Sequence, residues 1–360
     1  MTASPDFAAI RGLFSPEAGT VYLDAATYGL PPRQTVDAAE RAIRRWQEGS
    51  ADWIEEWDRI AERCRALFAE LAGSTAEEVA LIPTVSAGVG LVAASLPAGA
   101  NVIVPEQEFT SIVFPLLAAG RGRGAVVREI PLAGVASAIG PETDLVAFSL
   151  VRAQSGEIAP LAEIIAAARR HGARVLVDAT HALPFVGTEE QIGGIDYLIC
   201  HGYKHLLLPR GAGFMHIVRE RQDELIPYFS GWRSGQPFYG HSYGGPLTLP
   251  ATAMRFDQSL AWHAWAGALP SLELLVSWKR MGVFPASITL ATDLAGLLEH
   301  PATGSQIVSV PVEDAERTAA ALAASGVRCA ARGGRVRLSC HVWNTREDIE
   351  RAAAALLGAS

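Results

Sequence analysis

A carboxylate and an amine stand at the ends of two apolar runs in the middle of the chain. Residues 175–177 lead to Asp178, and residues 197–200 are followed by His201-Gly202-Tyr203-Lys204. Short apolar runs bounded by polar or turn residues are typical of buried strands. Ligands of open α/β sheets bind at the carboxyl edge of the strands. The sequence therefore predicts that Asp178 and Lys204 meet at a ligand-binding edge.

This pair of groups has a specific use in cofactor chemistry. An amine at a strand end can form a Schiff base with an aldehyde cofactor, and a nearby carboxylate can hold a protonated pyridine nitrogen. Together the two groups favour pyridoxal phosphate (PLP). A lysine at a strand end is, however, more often a solvated or salt-bridged residue, so the hypothesis depends on other parts of the chain.

A candidate phosphate site lies at residues 84–88, Thr84-Val85-Ser86-Ala87-Gly88. This segment connects a predicted strand to a predicted helix, and the free N–H groups and the dipole of a helix N-terminus favour an anion. Thr84 and Ser86 add hydroxyl groups. The same residues also suit a purely structural N-cap, and that interpretation stays open.

The elements that must position these groups alternate between strands and helices. From residue 79 to residue 217 this order predicts an α/β fold with a large, mostly parallel sheet covered by helices. A helical run is predicted from Ala251 to about Met281, and the C-terminal part of the chain predicts a small α+β domain. We expect an N-terminal arm at residues 1–35, a large domain at 36–270 and a small C-terminal domain at 271–360.

The composition excludes several classes of function. Of 360 residues, 49% are hydrophobic and 19% are charged, as in a globular enzyme. The net charge of -8 and the lack of a Lys/Arg-rich run argue against nucleic-acid and membrane partners. The apolar stretches are shorter than a membrane span, and the N-terminal residues do not resemble a signal peptide. The four cysteines have no metal-site or disulfide-scaffold spacing, so we expect a cytoplasmic protein without a metal site.

Several motifs, in this order, resemble those of the fold-type I PLP enzymes of the class V aminotransferase and cysteine desulfurase group. VDATH (177–181) resembles the family's Asp-x-Ala-Gln/His segment, and CHGYKHLLLPRGAGF (200–214) resembles its lysine segment with the glycine-rich run that follows. RVRLSCHVWNT (335–345) resembles its Arg-x-Ser-x-x-x-x-Asn-Thr segment. The resemblance implies a fold-type I PLP-transferase fold, an amino-acid substrate, and a homodimer with both sites at the interface. Residues 231–233 and 239–241 are expected to reach the neighbour's site.

The resemblance implies a role for each matching residue. Lys204 would be the Schiff-base lysine and the proton carrier at the α-carbon, and Asp178 would pair with the pyridinium nitrogen. The other implied contacts are His181 with the ring hydroxyl, Phe109 with the ring face, Thr84, Val85, Ser86, His201 and Tyr203 with the phosphate, and Arg337 with the substrate α-carboxylate. Tyr28 and Gln154 are further candidates for substrate contact.

Three positions depart from the desulfurase pattern. Cys329 falls in a predicted strand and Cys340 follows Arg337, whereas a desulfurase needs a nucleophilic cysteine on a mobile loop before that arginine. Phe109 stands where desulfurases carry a histidine. The family's Gly-Thr pair, which reaches the phosphate across the dimer, is replaced at Ser259, which keeps a hydroxyl. Persulfide chemistry is therefore not expected.

The reaction type is less sharply indicated than the cofactor. An aminotransferase is the leading interpretation, because Lys204 is the one evident acid or base at the predicted site. A C–S β-eliminating lyase, a decarboxylating deaminase or an epimerase on the same scaffold stays open, as does a catalytically idle PLP-fold binding protein. His181, His205 and His241 could act as a second proton carrier, although histidines in such positions are more often structural.

Overall fold

The computed structural model describes residues 5–240 and 242–359, so His241 and residues 1–4 of the predicted arm lie outside the described residues. The helices are α1 (Phe7–Arg11), α2 (Arg33–Glu48), α3 (Arg59–Ala72), α4 (Val85–Ser95), α5 (Thr110–Arg123), α6 (Val135–Ala138), α7 (Leu161–His171), α8 (Trp262–Arg280), α9 (Phe284–Leu297), α10 (Ala315–Ala324) and α11 (Arg346–Ala359). The strands are β1 (Val21–Tyr22), β2 (Val79–Ile82), β3 (Asn101–Pro105), β4 (Val126–Ile130), β5 (Leu145–Ser149), β6 (Arg174–Asp178), β7 (Tyr197–His201), β8 (Gly213–Ile217), β9 (Ile307–Pro311), β10 (Val327–Arg328), β11 (Ala330–Arg332) and β12 (Arg335–Ser339). Within the described ranges, no helix is long and apolar enough to cross a membrane.

The large sheet has the strand order β2-β8-β7-β6-β5-β3-β4. The pairs from β7 to β4 are parallel, and β8 runs antiparallel to both of its neighbours. Because β6 and β7 are parallel neighbours, with Asp178 opposite Ile199, both strands end at the same edge. The predicted α/β fold with a mostly parallel sheet is confirmed.

Helices cover both faces of this sheet, because its central strands are mostly apolar on both sides. All residues of β5, β7 and β8 are buried. On one face, Phe68 of α3 stacks on Phe214 of β8 with ring centroids 4.1 Å apart. On the other face, α4 packs Val89 and Val92 against the sheet. A strand buried on both sides reads as a continuous apolar run, which is why the sequence pattern identified these strands.

The C-terminal part of the chain forms a second, smaller unit. Its antiparallel sheet has the order β11-β12-β9, and α9, α10 and α11 share a separate apolar core with it. The N-terminal arm joins this unit, because β1 pairs with β10 in parallel and Asp24 bridges to Ser339 of β12. The arm is thereby held between the two units, next to the edge where β6 and β7 end.

Helix α8 differs from its prediction in both extent and position. The predicted helix from Ala251 is wrong at its start, since α8 begins at Trp262 and residues 251–261 contain only the 3-10 turn Ala253–Phe256. The helix runs through the predicted domain boundary at 270/271 and packs on α2 and α3 of the large unit. We propose that the boundary lies after α8, near Gly282.

The segment from 226 to 261 is anchored by a buried ion-pair network. Arg65 of α3 donates to Asp257 at 2.6 Å, and Arg233 pairs with Asp257 at 3.2 Å and with Asp58 at 3.1 Å. These four side chains are at most 2% exposed. Asp257 also accepts a hydrogen bond from the Leu81 amide of β2 at 2.8 Å. The network therefore ties a segment with little regular structure to the large sheet and to α3.

Candidate active site

A cavity of about 200 Å³ lies at the carboxyl edge of the large sheet. Its main polar residues lie at the ends of strands of the sheet or in the turns that follow them. Asp178 ends β6 and His201 ends β7, while Lys204 lies in the turn after β7. The arm fixes that turn from outside, because the Gly29 amide donates to the Tyr203 carbonyl at 3.0 Å. A Cβ at Gly29 would lie 2.1 Å from the Lys204 carbonyl oxygen, so only glycine allows this approach.

Asp178 is a buried carboxylate with little compensation. Its side chain is 5% exposed and accepts a hydrogen bond from the Thr180 amide at 2.8 Å. Burial raises the pKa of Asp178 above its usual value, and the bonds from Thr180 and the charge of Lys204 oppose that shift. A buried carboxylate in this state is stabilised by a cation placed in the cavity that it lines.

Lys204 also lines this cavity, as a buried amine. Its Nζ is 2.9 Å from His181 Nε2 and 5.1 Å from the centroid of the Phe109 ring. Burial lowers the pKa of Lys204 from 10.5 to about 8, and the charge of Asp178 opposes that shift. About a tenth of the amine is therefore unprotonated at pH 7, far more than for an ordinary lysine, and a nucleophilic amine must be unprotonated.

His181 is held neutral by its surroundings. Burial lowers the pKa of His181 well below its usual value, and the charges of Lys204 and Arg337 add to that shift. Within residues 5–240 and 242–359, the buried Nδ1 has no hydrogen-bond partner. The ring can therefore offer hydrogen-bonding capacity to a molecule in the cavity.

The opposite end of the cavity provides groups suited to an anion. Thr84 caps α4, with its Oγ1 accepting from the Ala87 amide at 3.1 Å, and the Ser86 Oγ lies 3.1 Å from the same oxygen. The capping interpretation is therefore confirmed, and both hydroxyls also line the cavity together with Val85. His201 Nε2 is buried and has no partner in the described part of the chain. The N-terminus of α4 adds the field of its free N–H groups.

A second cavity, of about 330 Å³, adjoins the first. Lys204, Phe109 and Tyr203 line both cavities, so the amine lies in the wall that they share. Arg337 of β12 is 3% exposed; its Nη1 donates to the Ala153 carbonyl and its Nη2 to Thr27 Oγ1, both at 2.7 Å. Gln154 also lines this cavity and donates to the Gly333 carbonyl at 3.4 Å.

Arg337 is suited to a carboxylate for two reasons. Its buried Nε has no hydrogen-bond partner among the described residues, and its nearest acid, Asp24, is 3.9 Å away. Burial lowers the pKa of Arg337 to about 10, which leaves the guanidinium cationic at neutral pH. A desolvated, incompletely paired cation of this kind binds an anion strongly.

Two predicted site residues do not line either cavity of their own chain. Tyr28 is 45% exposed and reaches the site only through Tyr203, with ring centroids 5.7 Å apart. Ser259 is exposed in the segment before α8.

The structure also brings in residues that the sequence did not single out. The exposed Arg210 lines the first cavity, with its guanidinium carbon 5.0 Å from the Tyr203 ring centroid. Arg210 lies only six residues after Lys204 in the same segment, so the sequence could have identified it as a site candidate. Glu108 is fixed at the site because it accepts from the Ser149 amide and hydroxyl at 2.9 and 2.7 Å. The cavity-lining residues Arg332 and Thr27 gave no signal, because long-range folding brings them together.

The cysteines carry no evidence of a reactive thiol. All four are free, and Cys64, Cys200 and Cys340 are buried. Burial raises the pKa of both Cys329 and Cys340 to about 12, whereas a nucleophilic cysteine needs a lowered value. Within the described ranges, no group of His, Cys, Asp or Glu is arranged to hold a metal ion.

Pyridoxal phosphate fits the first cavity on the chemistry of its lining. A pyridinium nitrogen suits the uncompensated Asp178, a phosphate suits the hydroxyls and helix N-terminus at residues 84–86, and an aldehyde suits the buried Lys204 amine. The unpartnered His181 Nδ1 and His201 Nε2 are then within reach of a polar ligand. The second cavity leaves room for a substrate on the other side of Lys204.

Comparisons with known proteins agree with this geometry. The family model Aminotransferase class-V matches residues 21–241. Isopenicillin N epimerase of Streptomyces clavuligerus is 28% identical over 249 residues, which cover 65% of this chain and 63% of the epimerase, less than two thirds of its length. The uncharacterized aminotransferase YcbU of Bacillus subtilis is 26% identical over 339 residues, covering 88% and 89% of the two chains.

The fold is that of solved PLP-enzyme structures. The cysteine desulfurase CsdA of Escherichia coli superimposes with a TM-score of 0.85 at 20% identity, covering 99% of both chains. Because the class-V family model covers more than half of the 360 residues, the chain belongs to the class-V aminotransferase family of PLP-dependent enzymes.

Proposed function

We propose that this enzyme is an aminotransferase that acts at the α-carbon of an amino-acid substrate. The observation that carries the proposal is the position of Lys204, in the wall between a cofactor-sized cavity and a second cavity lined by Arg337. Transamination needs one base that removes a proton from the α-carbon and returns it to the adjacent cofactor carbon. A single amine with a pKa of about 8 is suited to both steps.

The residues of the first cavity hold and tune the cofactor. When bound, PLP supplies an electron sink that stabilises negative charge at the substrate α-carbon. Asp178 keeps the pyridine nitrogen protonated, and His181 donates to or accepts from the ring hydroxyl. Phe109 covers the ring face, while residues 84–86, His201 and Tyr203 hold the phosphate.

The residues of the second cavity orient the substrate. Arg337 binds the α-carboxylate and so points the α-hydrogen at Lys204, with Gln154 as an additional hydrogen-bonding group. A fixed carboxylate is enough to select which bond at the α-carbon is broken, because that bond must align with the electron sink.

Other reactions receive less support from the lining of the cavities. A desulfurase mechanism lacks an activated thiol, since burial holds the pKa of Cys329 and Cys340 near 12. An epimerase needs a second proton carrier, and His181 and His205 are buried with pKa values well below the usual range, because burial disfavours their charged forms. A catalytically idle binding protein would not need a buried amine and a buried carboxylate in the lining of one cavity. The free cysteines also support a reducing, cytoplasmic setting.

The test is spectroscopic and uses the purified holoenzyme with a panel of amino acids. For an aminotransferase, the substrate converts the cofactor to its amine form, pyridoxamine phosphate, and a 2-oxo acid reverses the change. Replacing Lys204 with alanine should lower the rate about 100-fold to 10,000-fold, the usual contribution of a positioned acid–base group.

Each alternative has its own result. Release of pyruvate without formation of pyridoxamine phosphate would show elimination. Loss of the optical activity of the amino acid, without pyruvate or pyridoxamine phosphate, would show epimerisation. A colourless protein that PLP does not restore would contradict the enzyme assignment. The matched controls Cys329→Ser and Cys340→Ala should retain full turnover, whereas persulfide chemistry would abolish it in one of them.

A further inference from the structure

Two arginines besides Arg337 line the second cavity. Arg152 lies in the loop after β5, and Arg332 is the last residue of β11. The α-carboxylate of an amino acid requires one guanidinium, which Arg337 provides. The cavity therefore contains more positive charge than a neutral amino-acid side chain would require.

Arg152 is held in place without a full counter-charge. Its Nη2 donates to the Glu106 carbonyl, and its Nη1 lies 3.8 Å from Glu157. The Arg152 side chain is 15% exposed, whereas that of Glu157 is 53% exposed. An exposed carboxylate at this distance contributes little, so most of the Arg152 charge remains available to the cavity.

Arg332 has no acidic partner at all in the described ranges. Its Nη1 donates to the Ala331 carbonyl at 2.8 Å, and its Nη2 lies 3.5 Å from Thr27 Oγ1. No carboxylate of residues 5–240 or 242–359 lies within ion-pair distance of its guanidinium. The positive charge of Arg332 also reaches Lys204 and Arg337, where it disfavours their protonated forms.

Glu108, the acid in the lining, does not form an ion pair with either arginine. Both carboxylate oxygens of Glu108 are occupied, one by the Ser149 amide at 2.9 Å and the other by the Ser149 hydroxyl at 2.7 Å and the Phe109 amide at 2.6 Å. The buried Arg337 marks the inner end of the cavity, beside Lys204. The more exposed Arg152 and Arg332 lie nearer to solvent, where the end of a substrate side chain would lie.

We infer that Arg152 and Arg332 form a second anion site, and that the substrate is an α-amino acid with an acidic side chain. The inference rests on the proposed function, because it uses Arg337 for the α-carboxylate. Paired guanidinium groups bind a carboxylate through charge-assisted hydrogen bonds, which a side-chain amide of the same shape cannot replace. Selectivity for acid over amide follows, whichever bond at the α-carbon is then broken.

The first test compares isosteric substrates on the holoenzyme. The change in cofactor absorbance is titrated with L-glutamate against L-glutamine and with L-aspartate against L-asparagine. At least one acid should bind about tenfold to a hundredfold more tightly than its amide, the range expected for a hydrogen-bonded charge. Equal or tighter binding of both amides overturns the inference. This binding preference can be measured whether or not transamination occurs. A failure of the second anion site can therefore be told apart from a failure of the proposed reaction.

The second test assigns the selectivity to the two arginines. Arg332→Gln and Arg152→Gln should each remove most of the preference for the acid over its amide. Arg332→Lys should retain part of the preference for the acid, because lysine keeps the positive charge. Arg335→Gln is the matched control, since Arg335 lies opposite Arg332 in the β11–β12 hairpin but outside the cavity. Variants that keep the wild-type acid preference overturn the inference.

Calorimetry gives a readout without any reaction. Glutarate has both carboxylates but no amine, and it should bind the wild-type holoenzyme and lose about tenfold or more in affinity in Arg332→Gln. Cofactor content and circular dichroism of each variant establish that the protein is folded and loaded. Absence of glutarate binding to the folded wild-type holoenzyme, together with equal affinity for acids and amides, counts against the second anion site.

Discussion

At the scale of single residues, the site depends on a Lys204 amine that is buried without a carboxylate in direct contact. The amine is 7% exposed, and its nearest polar neighbour, His181, is a neutral ring rather than a carboxylate. A close ion pair would favour the protonated amine, whereas burial disfavours it. Asp178 lines the same cavity but forms no close ion pair with Lys204, so its charge opposes the lowering of the Lys204 pKa only in part.

The lowered pKa of Lys204 predicts the pH dependence of cofactor uptake. Only the unprotonated amine attacks an aldehyde, so the rate at which apoprotein takes up PLP should rise with pH through about 8 and then level off. Stopped-flow absorbance after mixing apoprotein with PLP measures this rate. A rate that keeps rising as for an ordinary lysine, with a pKa near 10.4, would contradict the buried state of the amine.

At the scale of elements, the segment from 226 to 261 is held by charge rather than by regular structure. Asp257 meets Arg65 and Arg233, and all three side chains are at most 2% exposed. The hydrogen bond from the Gln258 amide to the Leu81 carbonyl continues the connection to β2. These contacts hold residues 257–258 against β2, and α8 begins only at Trp262 rather than near Ala251.

Loss of the Asp257 charge should destabilise the protein strongly. Asp257→Asn keeps the shape but leaves two buried guanidinium groups undercompensated, which costs about 3–5 kcal/mol in the free energy of unfolding. Urea unfolding at a fixed protein concentration measures this loss. Glu273→Gln is the control, because it removes the exposed partner of Arg63 and should cost less than about 1 kcal/mol. Similar losses in the two variants would count against a structural role for the network.

The sequence predicted those parts of the site that local patterns determine. The apolar runs of β6 and β7 placed Asp178 and Lys204 at one edge, and the strand–helix junction placed Thr84 and Ser86 there as well. Arg332 and Thr27 could not be found in this way, since 305 residues separate them in the chain. Their proximity depends on the pairing of the arm with the C-terminal unit, and no short-range pattern encodes that pairing. The roles assigned to the individual site residues stay predictions.

At the scale of the whole molecule, an apolar surface begins at the site and continues along α5. Phe109, before its first turn, is 43% exposed, and Phe114 and Leu117 on the helix are 62% and 44% exposed. Residues three apart lie on one face of a helix, so Phe114 and Leu117 form one patch. Exposed apolar patches of this kind mark interfaces between proteins, and the family resemblance implies a second copy of the chain as the partner.

Charges on this patch should therefore separate a homodimer. The double variant Phe114→Glu/Leu117→Glu should elute with the mass of one chain. It should also lose PLP more readily, because α5, which carries both residues, begins directly after Phe109 of the cofactor cavity. Size exclusion with light scattering gives the mass, and absorbance gives the cofactor content. Leu357→Glu is the control, since Leu357 is 61% exposed on α11 of the small unit. A wild-type protein with the mass of one chain would contradict the prediction.

The short connection between β10 and β11 has a consequence for how a reaction ends. Cys329 alone joins the two strands, and pairing with β1 on one side and β12 on the other holds both of its neighbours. The Cys329 thiol is therefore not on a mobile loop that could move into the cavity and accept a group from the substrate. In the proposed transamination, the 2-oxo acid product would leave the second cavity by diffusion past Arg152 and Arg332. Product release would then depend on solvent viscosity, and no acceptor macromolecule would be needed to unload the enzyme.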